Sequence, residues 1–172
     1  MTEYLFNTKD EGELTQFAKW YLGQRPNLPN KPPADGATMF LPTISGLTLW
    51  RDGDFQVQLF ICAPNTVIPE HSHPNVDSYE ALMSGKVDFY VEGRKLIDDR
   101  FFQANSHGHS KAYGNAGRVR ENALHHAIVG KDGGSFLSIQ HWLKGKPTHV
   151  GDDWIGTPVG KAHAERIERA TS

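Results

Sequence analysis

Near the start of the chain, apolar residues recur at helical spacing. Leu14, Phe17, Ala18, Tyr21 and Leu22 share one face of the stretch from Glu11 to Gln24. Asp10 is placed to cap the first turn and Gly23 to close the last, so the pattern predicts one amphipathic helix. Beyond it, Pro26, Pro29, Pro32 and Pro33 forbid regular helix and disfavour a central strand, which predicts a connector running over the surface. The texture then changes. From Thr38 to Leu143 short runs of Val, Ile, Phe, Leu and Tyr alternate with Gly, Pro, Asn and Asp, which is the pattern of an antiparallel sandwich or barrel. Strands are expected near 38–41, 46–50, 55–62, 79–83, 86–91, 95–101, 117–121, 124–129 and 135–142. Hairpin turns are expected at Ser84-Gly85, at Glu92-Gly93 and across Gly130 to Gly134. The stretch from Gly160 to Ala170 predicts a short last helix with a solvated face of Glu and Arg.

Length and charge narrow the classes. A chain of 172 residues can bury a real core as one domain, and 18 Lys plus Arg against 20 Asp plus Glu give a net charge of −2. That balance speaks against a nucleic-acid partner and for a small-molecule ligand. Cys62 is the single cysteine and sits in the apolar run Phe55 to Cys62, so no intrachain disulfide can form and a buried thiol is expected. The N-terminal stretch shows no signal-peptide pattern, and no run of about 18 apolar residues occurs, so a soluble cytoplasmic protein without membrane contact is expected.

The histidines carry the chemistry. In extended chain, residues two apart point the same way, so His71 and His73 can offer two imidazoles to one point. Neutral imidazole suits Zn, Fe, Ni, Cu and Mn, and a third ligand from another strand would complete the set. Two histidines two apart also occur by chance in a chain with nine. Pro69 and Pro74 bracket the pair, carboxylates follow, and a strand then runs to Gly85. A second His-x-His, His107 and His109, lies in a Gly-rich stretch that reads as a solvated connector or, functionally, a lid. His141 beside Trp142 reads as a packed core residue, and His149 and His163 as surface residues. No phosphate-binding glycine loop or nucleophile elbow is present, and Cys62 has no basic neighbour to activate it.

The segments His71-Ser72-His73-Pro74-Asn75 and Tyr79 to Gly85 resemble the first signature motif of the cupin superfamily. Asn65 stands where that family usually has a glycine, a swap that left-handed Asn tolerates. Ser78 occupies the family's Glu position. An oxygen ligand could then come from Asp77, which also reads as a turn cap, or from Glu80, which shares Ser78's face by the period-2 rule. A pure three-histidine site is the remaining option. An inward Glu80 is costly unless it meets a metal, a histidine or a cation. The stretch Arg120, Asn122 and His125 keeps the spacing of the family's second motif with substituted identities. Alternation allows one of His125 and His126 to face inward, and the spacing selects His125.

The resemblance implies an all-β double-stranded β-helix, or jelly-roll barrel, over 38–145. The helix and connector would occupy 1–37, and a tail with a short helix, packing on the barrel, 146–172. It also implies a homodimer and one divalent transition metal on His71, His73 and His125, with Glu80 as further ligand or acid/base. Iron is the first expectation, with zinc, manganese or nickel as alternatives. The fold hosts many chemistries. The expected activity is that of a non-haem iron oxygenase, of dioxygenase type, on a small oxygenated organic substrate. A redox-neutral isomerase or lyase and a non-catalytic metal-binding sensor are the alternatives.

Overall fold

A computed structural model describes residues 12–24, 37–95, 116–147 and 152–171. Helix α1 spans Glu13–Gln24. The strands follow as β1 (Ala37–Leu41), β2 (Ile44–Asp52), β3 (Phe55–Cys62), β4 (Val67–His71), β5 (Val76–Val91), β6 (Arg94–Lys95), β7 (Ala116–Val119) and β8 (His125–Trp142). A 3-10 turn at Asp152–Trp154 leads into α2, Pro158–Thr171. The strands form one antiparallel sheet in the order β1-β2-β3-β8-β5-β6, with β4 also on β8 and β7 also on β5. The expected Asp10 cap, the proline-rich connector and most of the strand expected at 95–101 lie outside the described residues, as do His107, His109 and His149.

Two expected hairpins are instead bends within continuous strands. β5 and β8 run side by side for their whole lengths, and their pairing continues from Val76↔Trp142 to Val91↔His125. The register slips between Leu82 and Ser84 and again between Gly85 and Val87, so both strands fold over at that level. Gly85 (φ 66°) faces Gly133 (φ 81°) there, and a Cβ on Gly85 would lie 2.2 Å from the Gly133 carbonyl oxygen. Glycine bends these strands because the two backbones touch. The ladder on either side removes any need for a turn. The Glu92-Gly93 turn does form, between β5 and β6, with both residues at positive φ.

Alternation sorts the strands into two apolar layers. Phe60, Ile68, Leu82, Phe89, Ala127 and Phe136 fill the barrel with Trp154 and Val159 from the C-terminal segment. On the opposite sheet face Val57, Tyr79, Ala81, Leu137 and Ile139 pack under Leu14, Phe17, Ala18 and Tyr21 of α1. Tyr79 therefore points away from the barrel interior, as period 2 requires, and its hydroxyl meets Thr15 Oγ1 at 2.9 Å. Inside, the inward positions of β3 and β8 nearer the open end are polar. Gln56, Gln58 and Gln140 are buried and bond one another at 3.0–3.1 Å. α2 packs on β1 and β4. His163, expected at the surface, is half-buried, its Nδ1 lying 3.0 Å from the Phe40 carbonyl oxygen. No helix among the described residues is long and apolar enough to cross a membrane.

Candidate metal centre

His71 ends β4, His125 begins β8, and the two are register partners, so antiparallel pairing sets them side by side. His73 follows two residues after His71, as the extended geometry demands. The ring centroids are 4.2 Å apart for His71 and His125, 4.9 Å for His71 and His73, and 5.1 Å for His73 and His125. One donor atom from each lies within 4.8 Å of the others, and all three residues are buried.

Backbone carbonyls hold two of the rings. Nδ1 of His71 donates to the Pro69 carbonyl at 2.7 Å, and Nδ1 of His125 donates to the Ala123 carbonyl at 2.8 Å. Each of these imidazoles thus bonds the carbonyl two residues before it, which fixes the tautomer and leaves Nε2 with a free lone pair. Asn65 (φ 59°) and Asn122 (φ 61°), at the two positions where the motifs carry glycine, both adopt the left-handed conformation. Burial lowers the pKa of all three histidines and mutual repulsion adds to the fall for His73 and His125, which reach about 3 and about 4. At neutral pH they are uncharged, which is the state a cation needs.

Glu80 lines the same cavity but is not one of the three converging groups. Its Oε1 accepts from Ser78 Oγ at 2.7 Å and Ser138 Oγ at 2.9 Å, while Oε2 is buried with no partner among the described residues. Burial pushes its pKa up to about 7; the serine hydroxyls pull against that and the Asp153 charge adds to it. Ser78, at the position where the motif has glutamate, thus holds the displaced carboxylate two residues on. Asp77 is engaged elsewhere, accepting from Arg118 Nη2 at 2.8 Å and from the Glu121 amide at 2.7 Å. His126 points to the other face, stacked on Tyr90 at 4.7 Å. His141 stacks on Phe55 at 4.6 Å, with Nε2 at 3.3 Å from Asp54 Oδ2.

Residues of the cavity not foreseen from sequence include Ser138, Asp153 and Trp154. Trp154 is buried and stacks on His71 at 5.4 Å. Asp153 Oδ2 accepts from Gln140 Nε2 at 2.9 Å, and burial pushes its pKa up to about 7, with Asp152 adding to the rise. The available signal was a bulky Trp in an otherwise polar tail, which says that something is buried but not against what.

Two long strands bent over each other, antiparallel throughout, enclose a core that carries a His-x-His beginning at the end of β4 and a third His at the start of β8, the strand paired with β4. The chain has the cupin fold. KdgF from a Halomonas species superposes with a TM-score of 0.51 at 14% identity, covering 63% of this chain and 86% of that one. An RmlC-like cupin from Shewanella frigidimarina gives 0.49 at 11% identity, over 63% of this chain and 84% of its own. A double-stranded β-helix protein from Klebsiella pneumoniae gives 0.44 at 14%, over 66% and 84%. No protein-family model and no curated protein matches the sequence. At these identities the likeness concerns the fold, and what this cupin does has to come from its own site.

A divalent cation fits the residues present. Neutral imidazoles converge, and the buried Glu80 Oε2 has no partner among the described residues, an arrangement costly in a dry cavity unless something binds there.

Proposed function

We propose that this cupin is a mononuclear metal-dependent enzyme acting on a small oxygenated organic molecule. The convergence of three buried, neutral imidazoles supports this most directly. His71, His73 and His125 would hold the cation, which when bound would act as a Lewis acid on a substrate oxygen. The serine hydroxyls on Oε1 leave Oε2 of Glu80 free to take and return a proton, and its pKa near 7 suits that task at neutral pH. Phe60, Phe89 and Phe136 line the cavity and keep bulk water out. Redox-neutral isomerase or lyase chemistry follows from these parts.

A non-haem iron oxygenase is the second reading. The donor set is compatible with it, since three imidazoles would suit iron as well as zinc, manganese or nickel. Elemental analysis of protein purified without added metal, beside a His71→Ala, His73→Ala variant, tests the site: metal near one equivalent in the first and none in the second is expected. Activity with Zn or Mn and no oxygen uptake supports the proton-transfer route. Activity confined to iron with oxygen consumed supports the oxygenase. Metal without turnover on any candidate substrate returns the protein to a binding or sensing role.

A further inference from the structure

The barrel supplies His71, His73, His125 and Glu80 to the cavity, but the 3-10 turn Asp152–Trp154 that closes it comes from outside the barrel. Trp154 seats the turn. Its ring lies 5.4 Å from His71, 5.5 Å from Phe40 and 5.4 Å from Phe60, and 4% of the residue is exposed. The space left beneath it is about 30 Å³, room for about two waters. Among the residues that line it, Oδ1 of Asp153, Oε2 of Glu80 and Nε1 of Trp154 are buried with no partner among the described residues. No lysine or arginine is among the described residues that line it. Two carboxyl groups thus face three imidazoles with no protein cation between them. Three neutral imidazoles leave the charge of a bound dication uncompensated, and two carboxylates would balance it.

We propose that Asp153 belongs to the metal centre as its second charge-balancing carboxylate, delivered by a C-terminal segment that Trp154 pins over the cation. Gln140, bonded to Asp153 Oδ2, positions it. This rests on the metal reading above and adds to it a residue that neither cupin motif contains.

The test titrates Co²⁺ into the metal-stripped full chain at pH 8, comparing wild type with Asp153→Asn, and follows urea unfolding of both without metal. The amide keeps the shape and the Gln140 contact but removes the charge. Expected are Co²⁺ binding weakened about tenfold or more and metal-free stability no lower than wild type. Unchanged affinity overturns the proposal, and so does lower metal-free stability with unchanged affinity, which would make Asp153 a plain structural anchor. Trp154→Phe gives an independent readout. Co²⁺ should quench tryptophan emission in wild type, and most of that quenching should vanish in the variant. Quenching that survives intact places the segment away from the ion and also overturns it. Wild type that takes up no Co²⁺ ends the metal reading itself; wild type that binds while Asp153→Asn binds equally well ends this inference alone.

Discussion

Replacing Glu80 by Gln isolates the energetic burden of a buried carboxylate. Glu80 has an ordinary value of 4.5 and is pushed to about 7 in the fold. A carboxyl whose folded pKa is raised holds a proton that the unfolded chain gives up. Its favourable contribution is therefore complete below pH 4.5 and is lost as pH rises through 7. Each tenfold change in proton affinity corresponds to about 1.4 kcal/mol, so the full difference is about 3 to 4 kcal/mol above pH 8 and under about 1 kcal/mol at pH 5. The amide still offers an oxygen to Ser78 and Ser138, so its own cost is small and does not vary with pH. Urea unfolding of metal-stripped wild type and Glu80→Gln at pH 5 and pH 8 reads the difference, and contributions of groups that do not interact with Glu80 cancel. The variant's stability relative to wild type should rise by about 2 to 3 kcal/mol between the two pH values. Excess Zn²⁺ at pH 8 should shrink that gain, because the cation stabilises the carboxylate and not the amide. A difference that stays flat with pH would refute the reasoning, since it would mean that Glu80 is solvated or paired in solution.

The other expectations concern the scaffold. Gly93→Ala and Gly85→Ala both force alanine into positive φ, but nothing lies within 4 Å of a Cβ at Gly93, while at Gly85 it meets backbone at 2.2 Å. The first should cost about 1 kcal/mol and the second about 3 kcal/mol or more in denaturant unfolding; equal losses would count against the bent-strand crossing. Cys62, whose thiol burial pushes up to about 12, should resist a thiol reagent at pH 8 in the folded protein and react fully in denaturant. Asp77→Ala removes the Arg118 pair and the Glu121 amide contact and should cost about 1 to 3 kcal/mol of stability without altering Zn²⁺ affinity. A loss of metal binding there would return Asp77 to the ligand set. In metal-free protein the lowered histidine pKa values make stability fall as pH drops below 6.5, because the unfolded chain takes up protons that the buried imidazoles refuse. The His71→Ala variant should show a shallower fall over the same range.

Much of the site was legible because its logic is local. His71 and His73 are two apart on extended chain, Glu80 and Ser78 share a face for the same reason, and Tyr79 between them goes to the α1 side. Alternation allows one of His125 and His126 to face inward, and resemblance to the second cupin motif, with Asn122 at its glycine position, selected His125. The glycines misled where their job was long-range. Gly85 and Gly133 look like turn residues in sequence because positive φ is usually spent on turns, but here it is spent on letting two continuous strands cross in contact.

The amino-acid sequence by itself determined the all-β barrel, the helix laid outside it, the inward set of histidines and the buried thiol. The all-β pattern, the amphipathic helix, the paired facing of His71 and His73 and the buried thiol follow from periodicity or spacing within a few residues, and the barrel and His125 from the resemblance of the motifs. Tertiary structure alone decided that β5 and β8 are single bent strands, that Ser78 and Ser138 hold Glu80 by one oxygen, that Asp77 is committed to Arg118, and that Asp153 and Trp154 close the cavity. Those facts depend on which distant segments meet, and a chain's local pattern records that a residue is buried without recording its neighbour.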